Sequence, residues 1–169
     1  MRSRKSSSSR NLFIQRTPDG QPYSGIGPGV GYEFIKAYFP RIKDTLRIAS
    51  AYFSLKGYRL GRGHIKDDVV VRMLVGKGDA LDAQEAILDE IVKELKELDG
   101  NLYETIKEVV TRINERRFFI RDARSISNLF HCKFYIGDDA FLWHGSANYS
   151  VSGLSAKSSS NAEQASCLT

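Results

Sequence analysis

The feature that most restricts the fold lies between His131 and Asn148, where two short alternating runs flank the dipeptide Asp138-Asp139. A period of two is the signature of a strand, and a tight polar turn between two such runs closes a β-hairpin. With Asp138-Asp139 as a two-residue tip, Gly137 pairs with Ala140, and counting backwards sets His131 opposite Ser146. The same period puts His131 and Lys133 on one face, so an imidazole, an ammonium, a hydroxyl and the nearby Asn148 amide are expected to converge. Asp138 lies at the other end of the hairpin, outside that group.

Other segments supply the rest of a layered domain. Apolar residues at Phe34, Ile35, Tyr38, Phe39 and Ile42 predict a helix over 32–43, bent or shortened at Pro40. Buried strands are expected over 46–53 and 69–75, separated by a Gly/Arg segment from Gly57 to Gly63. Leu88, Ile91, Val92, Leu95 and Leu98 form one helical stripe, and Leu102, Ile106, Val109, Val110 and Ile113 a second. Further strands are predicted over 117–120, 131–136, 140–145 and 163–168. Strands alternating with helices point to an α/β fold, a mixed β-sheet flanked by helices. The Gly/Pro-rich stretch 17–31 reads as an ordered or lid-like loop, and the serines over 155–160 as a loop before the last strand.

Composition sets the outer limits. The chain has 169 residues, 41% hydrophobic and 27% charged, as expected of one globular domain. No apolar run nears the roughly 20 residues of a membrane span, and the basic start meets serines and only three consecutive apolar residues, Leu12 to Ile14. Neither a membrane span nor a secretory signal is expected. Cys132 and Cys167 form no CxxC or Cys/His cluster, which supports neither a disulfide framework nor structural zinc and fits a reducing cytoplasm. Of the net charge of +5, Arg2, Arg4, Lys5 and Arg10 carry four, so residues 1–16 read as a disordered basic, Ser-rich tail and 17–169 as one catalytic domain.

The converging groups suit a phosphate ester. Lys133 neutralises non-bridging oxygens, Ser146 and Asn148 donate hydrogen bonds to them, and His131 is left as the reactive group. An imidazole with an unperturbed pKa of about 6.5 either attacks phosphorus or, once protonated, gives a proton to the leaving oxygen. One ring cannot do both at once. His64 repeats the H-x-K spacing with Lys66 but has Val71 where an aspartate belongs, and His144 has no lysine two residues on. His64 is read as a decoy, and His144, opposite Lys133 in this register, as sheet packing or a polar neighbour. The simpler source of a second imidazole is His131 of a twofold-related subunit.

This pattern, H-x-K-x4-D-x6-G-S-x-N over His131, Lys133, Asp138, Gly145, Ser146 and Asn148, resembles the signature of the phospholipase D superfamily. The resemblance covers His131 to Asn148 directly. It implies a phospholipase D-like domain that cleaves phosphodiesters with no metal and no cofactor, through a covalent phosphohistidine. With one motif, the chain is similar to the short nucleases of that superfamily that work as homodimers. His131 of one subunit is then nucleophile and His131 of the other general acid, while both Lys133 side chains, Ser146 and Asn148 hold the phosphate. Asp138 and Gly145 belong to the structural part of the motif. By the same resemblance Glu163 is the acidic residue on a later strand that orients the histidine ring.

Phosphohistidine chemistry serves nucleases, lipases and phosphatidyl transferases alike, so the substrate class must come from other residues. The basic tail, Arg59 and Arg62 among glycines, and Arg116, Arg117, Arg121 and Arg124 beside Phe118 and Phe119 favour nucleic acid, DNA ahead of RNA. The expected activity is that of a phosphodiesterase or endonuclease. Two alternatives are the nuclease module of a restriction or helicase-linked enzyme, and a non-catalytic nucleic-acid-binding module.

Overall fold

A computed structural model describes residues 12–76, 100–123, 131–154 and 162–169. Its centre is an eight-stranded mixed sheet in the order β1-β2-β8-β7-β6-β3-β4-β5. The strands are β1 (Phe13–Arg16), β2 (Pro22–Pro28), β3 (Thr45–Ser50), β4 (Val70–Val75), β5 (Phe118–Asp122), β6 (Lys133–Gly137), β7 (Phe141–Gly145) and β8 (Ala162–Leu168). Strands β3, β4 and β5 run parallel, and every other neighbour pair is antiparallel. The described α-helices are α1 (Val30–Tyr38), α2 (Leu55–Arg62), α3 (Gly100–Asn114) and the single turn α4 (Val151–Leu154). Among the described residues no helix is long and apolar enough to cross a membrane.

The core follows from strand alternation. Leu46, Ile48, Val71, Met73, Val75, Phe118, Tyr135, Trp143, Ala165 and Cys167 all point to one face. There they pack with Val30, Phe34 and Ile35 of α1, Leu55 and Tyr58 of α2, and Val109 of α3. The Tyr135 and Trp143 rings stack at 3.9 Å, and Phe34 stacks on Trp143 at 5.4 Å. Burying aromatic side chains of this size stabilises the fold by about 2–3 kcal/mol each.

Several elements differ from the sequence reading. The helix begins at Val30 and turns into a 3-10 turn over Phe39–Arg41, because Pro40 has no N–H to continue the ladder. The Gly/Pro-rich stretch read as a loop contains β2, paired on both sides with β1 and β8. Its prolines sit at the strand ends, and Gly25 leaves the space that a Cβ would contest with Val30 Cγ2, only 2.7 Å away. Sheet pairing begins at Phe13, inside the stretch read as basic tail. The Gly/Arg segment is helical. A Cβ on Gly57 would lie 2.5 Å from Ser150 Cα, so these glycines let α2 press against the chain that follows β7. The stripe over 88–98, the residues 155–160 and Arg124 lie outside the described residues.

Candidate active site

The parallel strands end at Ser50, Val75 and Asp122, and the antiparallel pairing of β6 with β3 sets Lys133 beside Ser50 at that same end. His131 stands exposed just before β6, while Lys133, pointing to the core face, is only 6% exposed. Lys133 Nζ lies 2.9 Å from both Nδ1 and Nε2 of His131 and donates to the His131 carbonyl at 3.0 Å. Burial lowers the Lys133 pKa, and the Glu163 carboxylate and Cys132 pull it partly back up. The ammonium is thus sequestered from water yet turned towards the imidazole.

Ser146 follows β7 and is tied to β8. Its N–H donates to Gln164 O at 2.8 Å, its Oγ accepts from Gln164 N at 2.8 Å, and its hydroxyl donates to Glu163 Oε2 at 2.5 Å. Glu163 is itself 6% exposed. Glu163, the residue expected to orient the imidazole, accepts from the Ser146 hydroxyl, and the His131 ring meets Lys133. Gly145 is demanded by geometry: a Cβ there would stand 2.0 Å from Gln164 O. Asn148 accepts from Tyr52 N at 3.2 Å, which leaves its amide nitrogen to donate.

Three residues not singled out in the sequence hold this corner together. The buried Ser50 Oγ donates to Tyr52 O at 2.6 Å and accepts from Tyr149 N at 2.8 Å. Ser54 Oγ caps α2 through Gly57 N at 3.0 Å and accepts from Val151 N at 3.3 Å. Tyr52 is half exposed beside Asn148. Only Ser54 carried a readable signal, a serine just before a helix.

The hairpin turn corrects the expected register. Asp138 and Asp139 have φ of 48° and 58°, and Ala140 N donates to Gly137 O at 2.8 Å. Ladder pairing, however, resumes with Gly137 opposite Phe141, so Ala140 belongs to the turn and every pair shifts by one. His144 therefore faces Phe134, ring centroids 6.4 Å apart, on the sheet face away from Lys133. The Asp138 carboxylate ties the turn to the chain leading into β3: it accepts from the N–H groups of Lys43 at 2.5 Å, Asp44 at 3.0 Å and Thr45 at 2.7 Å. Burial raises its pKa, but these three donors outweigh it and hold the carboxylate below its ordinary range.

The arginines expected to flank a nucleic-acid groove divide. Arg62 turns inward, paired with Glu108 and Asp67 and donating to Ile65 O at 2.5 Å, so it ties α2 to α3. Arg117 donates to Asp67 O at 2.8 Å and pairs with Glu115. Arg116, with φ of 57°, occupies the turn into β5, and both precede the strand end opposite His131. Phe118 is core, whereas Phe119 is 36% exposed. Arg59 is exposed on α2, and Arg121 is exposed on β5 close to the site end. His64 Nε2 lies 3.4 Å from Tyr32 Oη, with the rings edge to face, and its pKa is lowered by burial and by Lys36.

No protein-family model matches this chain, and no curated protein does. Solved structures do. NucT from Helicobacter pylori aligns with 94% of this chain and 82% of its own at 12% identity and a TM-score of 0.47. Nuc from Salmonella typhimurium, a phospholipase D family member, aligns with 93% of this chain and 82% of its own at 16% identity and a TM-score of 0.49. A phosphatidylserine synthase from Haemophilus influenzae Rd KW20 aligns with 85% of this chain but 34% of its own, at 15% identity and a TM-score of 0.53. The last overlap shows a shared fold.

Proposed function

We propose that this chain, a phospholipase D-like fold, is a phosphodiesterase that cleaves nucleic acid through a covalent phosphohistidine on His131, in a site completed by a second copy of the chain. The observation that carries this reading is an exposed imidazole whose ring nitrogens lie 2.9 Å from a buried ammonium, Lys133. The nucleophilic form of imidazole is the one with an unprotonated nitrogen, and Lys133 Nζ lies within donating distance of that position. An arriving phosphodiester competes for that ammonium, draws Lys133 onto its non-bridging oxygens and frees the nitrogen lone pair. The nitrogen then forms a bond to phosphorus as the bond to the leaving oxygen breaks. That oxygen takes its proton from the second His131. In the second half, water attacks phosphorus, gives its proton to the now neutral second imidazole, and the N–P bond breaks to release a phosphomonoester.

Ser146 and Asn148 bound the same corner. Glu163 accepts a hydrogen bond from the Ser146 hydroxyl, so the Ser146 oxygen is fixed in place, and Glu163 acts here as a positioning residue. Of the three histidines, His131 meets Lys133, whereas His64 packs on Tyr32 and His144 faces Phe134. The need for a second acid is what favours the homodimer.

Similarity to a phosphatidylserine synthase favours a second reading, in which an alcohol rather than water resolves the phosphohistidine. Incubating the full chain in EDTA with fluorescent DNA, RNA and a phospholipid separates the two. Cleaved DNA or RNA with intact lipid is expected. Lipid turnover alone favours the transferase, and absence of any cleavage in metal-free conditions favours a binding module.

A further inference from the structure

The sheet face that turns away from the core is basic and aromatic. Strand registers align two rungs across it: Arg121, Leu74, Ala49, Phe134 and His144, and below them Phe119, Arg72, Arg47 and Ile136. All of these except His144 line a shallow groove of about 550 Å³ that includes Arg47, Arg72 and Arg121 and, among the described residues, no acidic side chain. Phe119 and Phe134 are 36% and 39% exposed, on strands β5 and β6 rather than on a loop. Arg72 lies 4.8 Å from the centre of the Phe119 ring. Arg47 pairs with Asp139 at 2.5 Å, but both side chains are open to water, and such a pair holds weakly against a competing anion.

We infer that this face is a platform for single-stranded nucleic acid, lying on the opposite side of the sheet from the catalytic corner and leading to it; the inference extends the substrate reading proposed above. Charge complementarity selects an anionic polymer, and flat aromatic rings on an open sheet select unpaired bases, because a duplex hides its base faces. β5 and β6 are three strand spacings apart, so the two rings stand roughly 15 Å apart along the sheet, with the guanidiniums of β3 and β4 between them. Phe134 precedes Tyr135 and follows Lys133, which points to the other face at the site end of β6. A strand stacked on Phe134 therefore reaches the catalytic corner by passing over the end of the sheet.

The test uses the full chain in a His131→Ala background, so that the oligonucleotide stays intact, and measures Kd for a fluorescent 20-mer of dT and for a duplex of equal length. Phe119→Ala and Phe134→Ala are each expected to weaken single-strand binding about tenfold. Arg72→Gln and Arg121→Gln, which keep both phenylalanines, are expected to weaken it and to reduce its dependence on salt. In the His131 chain, the Arg72→Gln variant should hydrolyse bis(p-nitrophenyl) phosphate at the unaltered rate. Unchanged Kd in all four variants overturns the platform, as does duplex binding at least as tight as single-strand binding. Loss of the dimer in the phenylalanine variants also overturns it, since the face would then join copies of the chain. If the unaltered chain leaves the ester intact while the oligonucleotide Kd follows the variants, the catalytic reading falls and the platform stands.

Discussion

At His131 the imidazole and the ammonium share one hydrogen-bonding corner, and the buried Lys133 is the group whose behaviour reports on it. Burial pushes the Lys133 pKa down from the ordinary 10.5, and the Glu163 carboxylate opposes that push. Glu163→Gln removes the opposing charge, so the Lys133 titration followed by NMR at Cε should move to lower pH still. An unchanged or higher midpoint would show that the carboxylate does not act on this ammonium. Legibility at this scale was uneven. The motif residues His131, Lys133, Ser146 and Asn148 were readable because strand period and spacing place them at one strand end. The partner of Glu163 was not, since Glu163 meets Ser146 through the pairing of β8 with β7, a contact between strands 17 residues apart that no spacing rule announces. Nor was the inward turn of Arg62, whose partner Glu108 lies 46 residues away.

Among the elements, the β6–β7 hairpin is anchored at its far end by Asp138. That carboxylate joins the turn to the start of β3 through three backbone N–H groups, and its pKa lies below that of the unfolded chain. Its contribution is therefore complete above the ordinary value of 3.8 and is lost as pH falls through the lower value it holds in the fold. Asp138→Asn should cost about 1–2 kcal/mol at pH 7, allowing for partial exposure, with the difference from the parent shrinking in acid. Denaturant titrations at pH 7 and below pH 3 check this; a cost that stays constant would contradict it. Elements rich in apolar periodicity, such as β3, β4 and α3, were legible in the sequence. Strand β2 and helix α2 were not, because their glycines answer to a neighbour distant in sequence: Gly25 to Val30 of α1, Gly57 to Ser150.

For the whole molecule, the phosphohistidine reading needs two chains per reaction centre. When parent and His131→Ala chains are unfolded together in equal amounts and refolded, random pairing leaves about a quarter of the pairs with both imidazoles. Activity should then be about a quarter of that of the same total amount of parent chain. One half would mean that each chain works alone. The most direct test is intact-mass and peptide analysis of the protein quenched during metal-free turnover of an oligonucleotide. A phosphoryl adduct on His131 is expected, disappearing as substrate is exhausted. Steady turnover with no adduct, or an adduct on another residue, would contradict it.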